Sequence, residues 1–126
     1  MAKNSISIKV TGLKQVNSYL KKSKGNVSAG VKSGLNQATI FLEGEVKQSI
    51  AGHKAEPRSV DTGRFLDSVS SNVTNFNGYV FSNVSYAKFL EYGTSRLTPR
   101  PHFKNSLMRN KTKINDYLQK KIKNKL

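Results

Sequence analysis

Val27-Ser28-Ala29-Gly30-Val31-Lys32-Ser33-Gly34-Leu35-Asn36-Gln37-Ala38-Thr39-Ile40-Phe41-Leu42-Glu43-Gly44-Glu45-Val46-Lys47-Gln48-Ser49-Ile50 repeats apolar residues at steps of three or four. Val27, Val31, Leu35, Ala38, Leu42, Val46 and Ile50 therefore share one face of a helix. Asn26 stands where an N-cap is needed. At 1.5 Å per residue such a helix is on the order of 36 Å long. Glu43, Glu45 and Lys47 fall off the stripe. This helix is the scaffold on which a small sheet packs.

Upstream, Ser5-Ile6-Ser7-Ile8-Lys9-Val10 alternates with period two, the pattern of a half-buried strand. Thr11-Gly12 ends it, and Leu13, Val16 and Leu20 predict a short helix stopping before Gly25. Downstream, Ala51-Gly52-His53-Lys54-Ala55-Glu56-Pro57-Arg58-Ser59 reads as a loop that moves in an isolated subunit. Asp61 or Thr62 then caps a helical turn through Phe65 and Leu66.

Residues 69–74 and 79–83 read as paired strands around the turn Asn75-Phe76-Asn77-Gly78, whose Asn-Gly pair is a strong hairpin signal. Residues 86–92 have helical spacing that clusters Tyr86, Phe89 and Leu90, and Gly93 supplies a left-handed cap. After a loop held by Pro99, Pro101 suits the first turn of a final helix. Its apolar face is Phe103, Leu107, Ile114, Tyr117, Leu118 and Ile122. Its other faces carry Lys104, Arg109, Lys111, Lys113, Lys120, Lys121, Lys123 and Lys125, with fraying expected from Lys120 on. The fold class is α+β: a long helix on a small antiparallel sheet with a hairpin, flanking short helices and a basic C-terminal helix. Residues 1–126 read as a single domain.

The chain is 36% hydrophobic with mean hydropathy −0.55, so its core is modest and neighbouring subunits are expected to add stability. Apolar runs such as Ile40-Phe41-Leu42 are far too short to span a membrane. Met1-Ala2-Lys3-Asn4 leads into alternation and not into a signal core, which makes the cytoplasm the expected compartment during synthesis. The chain has no cysteine, so disulfides, thiolate metal sites and cysteine nucleophiles are excluded. A formal net charge of +15 implies a partner dense in negative charge, or a plainly lysine-rich soluble surface.

Enzymatic readings are weak. Asp61 could serve as a base, but an N-cap and turn account for Asp61-Thr62-Gly63-Arg64 with nothing left over. Glu45-Val46-Lys47 mimics half of a metal-dependent nuclease site, yet Val46 falls in the helical stripe, whereas that chemistry normally sits on a strand. His53 and His102 are single and far apart, and no metal or other cofactor is expected.

Three segments fall in a telling order. They are Val60-Asp61-Thr62-Gly63-Arg64-Phe65-Leu66-Asp67-Ser68-Val69, then Tyr86-Ala87-Lys88-Phe89-Leu90-Glu91-Tyr92-Gly93-Thr94-Ser95, then Arg100-Pro101-His102-Phe103. In this order the chain resembles the neck or tail-component family of long-tailed phages across residues 27–107. His102 between Pro101 and Phe103, and Asn105-Ser106 after them, depart from the family pattern.

The resemblance marks Asp61, Thr62, Gly63, Arg64, Tyr86, Ala87, Glu91, Tyr92, Gly93, Thr94, Pro101 and Phe103 as motif residues. It implies a non-enzymatic ring subunit joining the DNA-filled head to the tail, self-associating and flanked by head-completion and tail-terminator proteins. The tail terminator itself and a free nonspecific DNA-binding protein are the alternatives. The basic residues of the last helix then have genome DNA or an acidic partner to face. Gly63 allows a tight turn that Arg64 orients. Glu91 at a helix C-terminus opposes the macrodipole and calls for a cation, with Arg64 first and Arg96 or Arg100 competing.

Overall fold

The computed structural model describes residues 6–11, 27–60, 63–74 and 76–123. The expected short helix at residues 13–20 and the capping pair Asp61 and Thr62 lie outside the described residues. The long helix runs Val27–Ile50 (α1), and every described stripe residue from Val31 to Ile50 is 0% exposed. Periodicity alone placed this core.

A three-stranded antiparallel sheet lies against α1, built from Ile6–Thr11 (β1), Ser70–Thr74 (β2) and Asn77–Ser82 (β3) in the order β1-β3-β2. β3 is central, with Val80 opposite Ile8 on one side and Ser71 on the other. Gly78, Val80 and Ser82 are its buried residues, while Tyr79 and Phe81 sit half-buried on the opposite face.

The hairpin forms, but its turn is not where the Asn-Gly pair suggests. Thr74 pairs with Asn77 and Val73 with Gly78, so the connection is residues 75–76 and Asn77-Gly78 belongs to β3. Gly78 serves a different need. A Cβ there would lie 2.0 Å from Thr39 Oγ1, so its missing side chain is what lets α1 approach the sheet.

Three short helices complete this side of the fold: Arg64–Ser68 (α2), which precedes β2, and Ala87–Tyr92 (α3) and His102–Arg109 (α4), which both contact β1. The last, Lys111–Lys123 (α5), packs along α1. The single final helix expected from Pro101 on is thus two. Asn110 divides them, leaving helical geometry at φ −110° while its Nδ2 donates to Ser106 O at 2.8 Å. Pro101 stands at the N-cap of α4. α5 buries Ile114 and Leu118, and a Cβ at Gly34 would meet Leu118 Cα at 3.1 Å. Phe41 and Tyr117 close this seam with ring centroids 5.3 Å apart, and Lys113 Nζ lies 5.4 Å from the Phe41 centroid. Among the described residues no helix is long and apolar enough to cross a membrane.

Candidate functional site

The three motif segments converge on Phe65, which is 3% exposed. Its ring centroid lies 6.0 Å from Tyr86, 6.2 Å from His102 and 6.4 Å from Phe103. Gly63 makes the approach feasible: at φ 87° it takes the left-handed conformation that starts α2 and turns Phe65 inward. On α3 the buried residues are Ala87 and Glu91. The cluster expected of Tyr86, Phe89 and Leu90 therefore does not form a core face. Tyr86, Phe89 and Tyr92 are 37%, 47% and 63% exposed, and Leu90 is half-buried.

Gly93 ends α3 with positive φ, but at φ 76° and ψ 173° it is in the extended glycine-only region and not the left-handed helical one. A Cβ here would strike Leu97 O and the Pro99 ring, both at 2.7 Å, so the backbone leaves along a path only glycine follows.

Glu91 finds a different partner from the cation expected. Its Oε1 accepts the Phe103 N–H at 3.0 Å and its Oε2 the Lys104 N–H at 2.8 Å. The unfavourable charge at the end of α3 is resolved by the favourable amide end of α4. Burial pushes the Glu91 carboxyl above its ordinary pKa, and the two amide bonds oppose that shift.

A second buried network lies beside this clasp, built from residues that no local pattern joins. The segment read as a moving loop is pinned by Glu56, which is 6% exposed. Arg109 grips Glu56 bidentately, Nη1 to Oε2 and Nη2 to Oε1, both at 3.0 Å. Asn105 Nδ2 donates to Oε2 at 3.1 Å, and Ser49 Oγ donates to Oε1. The Arg109 bonds lead in holding the Glu56 pKa down at about 2, against the desolvation that would raise it.

His102, 0% exposed, extends the chain, with Nδ1 at 2.8 Å from Ser49 Oγ and Nε2 at 2.8 Å from Ser59 Oγ. Because Ser49 gives its proton to Glu56, His102 must donate through Nδ1 and accept from Ser59 at Nε2. Arg100 Nη1 donates in turn to Ser59 Oγ at 3.3 Å and to Arg58 O at 3.2 Å. The donors from Ser59 through His102 and Ser49 run in one direction, toward the Glu56 carboxylate. Ser59 and His102 have the geometry of a nucleophile and base, but burial lowers the imidazole pKa to about 4, which leaves a poor proton acceptor at neutral pH. The arrangement works as a buried clasp between the segment after α1 and the start of α4.

Ser59 also lines an open pocket of about 530 Å³ with Arg58, Arg64, Arg100, Tyr86 and Leu90. Of the basic residues assigned to the last helices, Arg109 is committed to Glu56. Lys104, Lys111, Lys113 and Lys120 are exposed and Lys121 half-buried, whereas the Lys123 side chain and Lys125 lie outside the described residues. Among the described residues no group of His, Asp and Glu is arranged to hold a metal ion.

Residues 14–93 match the family described as "Bacteriophage HK97-gp10, putative tail-component". The chain belongs to this family of phage tail components. Searches of curated proteins and of solved structures found no significant match. The matched span holds the first motif segment and the second as far as Gly93, and stops short of the third. Glu91 and Phe65 tie that third segment to the family portion physically, through the amides of α4 and the rings of His102 and Phe103. His102 was passed over as an isolated histidine. Ser49, Glu56 and Ser59 lie close together in sequence but 43 to 53 residues before it, and no local pattern connects them to it.

Proposed function

We propose that this chain is a ring subunit of the head–tail connector of a long-tailed phage, a non-enzymatic protein of the neck. Membership of the tail-component family carries the reading. The aromatic side of α3 supports it: an assembly subunit needs apolar surface to bury against a neighbouring protein, and Tyr86, Phe89 and Tyr92 present it. Self-association, contact with head-completion and tail-terminator neighbours, and nonspecific contact between lysines and passing DNA follow from that position. The virion is the final location, reached after assembly in the host cytoplasm.

A phage carrying an early stop codon for this chain tests the reading by electron microscopy. The expected particles are DNA-filled or leaking heads beside separate, finished tails. Normally joined virions would exclude the connector role. The family's description as a tail component also suits a tail terminator, and overlong tails on the mutant would select that alternative.

A further inference from the structure

The pocket beside Ser59 combines two chemistries. Arg58 and Arg100 bring guanidinium groups to its lining, Arg64 also borders it, and among the described lining residues none carries a carboxylate. Tyr86 and Leu90 give it an apolar side, and Tyr86 continues along α3 into the exposed rings of Phe89 and Tyr92. Arg100 is already held in place, its backbone N–H on Leu90 O and its side chain on Arg58 O and Ser59 Oγ. A guanidinium fork fixed in this way is prepared for a planar anion at little further entropic cost.

We infer that this pocket and the adjoining side of α3 receive an acidic segment of another protein, a carboxylate among the arginines and an apolar side chain against the exposed rings. Arginine beside tyrosine and phenylalanine is the composition of an interface centre. Duplex DNA suits the exposed lysines of α4 and α5 better, since a phosphate backbone gains nothing from exposed phenylalanine. A second copy of the chain has little to offer the arginines. At a formal net charge of +15 it repels a like chain. Of its acidic residues, Glu56 and Glu91 are buried and Glu43 and Glu45 are ion-paired with Lys47 and Lys54, which leaves Asp67 and Asp116 as the other acidic side chains exposed among the described residues. That the partner is a virion protein rests on the proposed assembly role. The binding chemistry does not, so the two can fail separately.

The probe is a soluble peptide alternating glutamate and phenylalanine, compared with its glutamine counterpart and with a short DNA duplex, each titrated into the purified chain. The glutamate peptide is expected to shift the side-chain Nε–Hε NMR signals of Arg58 and Arg100, and the glutamine peptide is expected to bind at least about tenfold more weakly. Arg58→Gln, an exposed position, should cost the glutamate peptide severalfold in affinity, and so should Phe89→Ser, with circular dichroism confirming that each variant is folded. Equal affinity for the two peptides, or unchanged binding in either folded variant, would overturn the inference. Displacement of the peptide by the duplex, with the same arginine signals shifting, would assign the pocket to phosphate and overturn it too.

Discussion

Glu91 Oε2 accepts the backbone N–H of Lys104 at 2.8 Å, so the carboxylate that ends one helix caps the next. Replacing Glu91 with Ala leaves two amides at the start of α4 without their acceptor in a buried setting. The expected loss is about 3 kcal/mol, read from urea unfolding midpoints at constant slope. Glu91→Gln keeps one acceptor oxygen but sets an NH2 group against the other amide, and should lose about half as much. Equal stability of the wild type and the alanine variant would refute the clasp.

Acid should weaken this protein from a higher pH than carboxylates alone would give. His102 has a folded pKa of about 4 against an ordinary 6.5, so between these values the unfolded chain binds a proton that the folded chain refuses. Stability therefore rises with pH across that window, and falls by about 3 kcal/mol as pH drops from 6.5 to 4. Glu56, held at about 2 against 4.5, adds a further loss below pH 4.5 in the same direction. Glu91, shifted upward by burial, opposes them, because its ionisation costs the fold stability as pH rises. Denaturant unfolding at stepped pH should show the first loss in the wild type and a flatter profile in His102→Gln.

Gly78→Ala should destabilise the fold by about 2 kcal/mol or more, since its Cβ would lie 2.0 Å from Thr39 Oγ1. Shortening the opposing residue tests the cause. Thr39→Ala in the same chain should recover part of the loss, and a thermodynamic cycle should show coupling of about 1 kcal/mol. Strict additivity would mean that the contact is relieved elsewhere.

At low ionic strength the isolated chain is expected to bind duplex DNA weakly, without sequence preference and with steep salt dependence. Replacing Lys111, Lys113 and Lys120 with Gln should reduce the slope of log affinity against log salt by about 1 per phosphate contact removed. All three side chains are exposed, so circular dichroism should be unchanged. Tight, salt-resistant and sequence-selective binding would favour a free DNA-binding protein over a connector subunit.

Local order along the chain already determined the α1 core from Val31 to Ile50, the alternation of β1, the existence of the hairpin and the three ordered motifs. Each depends on neighbours within a few residues, where helical and strand periodicity are directly written. Tertiary structure decided what spacing cannot express. Gly78 is required by Thr39 across the helix–sheet contact and not by a turn. Glu91 answers to amides 12 and 13 residues on, and not to the arginine expected. His102 and Glu56 are buried and joined through Ser49 because α1, the segment after it and α4 meet at one place. Buried polar groups must find partners wherever folding brings them, and that distance is set by packing and not by sequence separation.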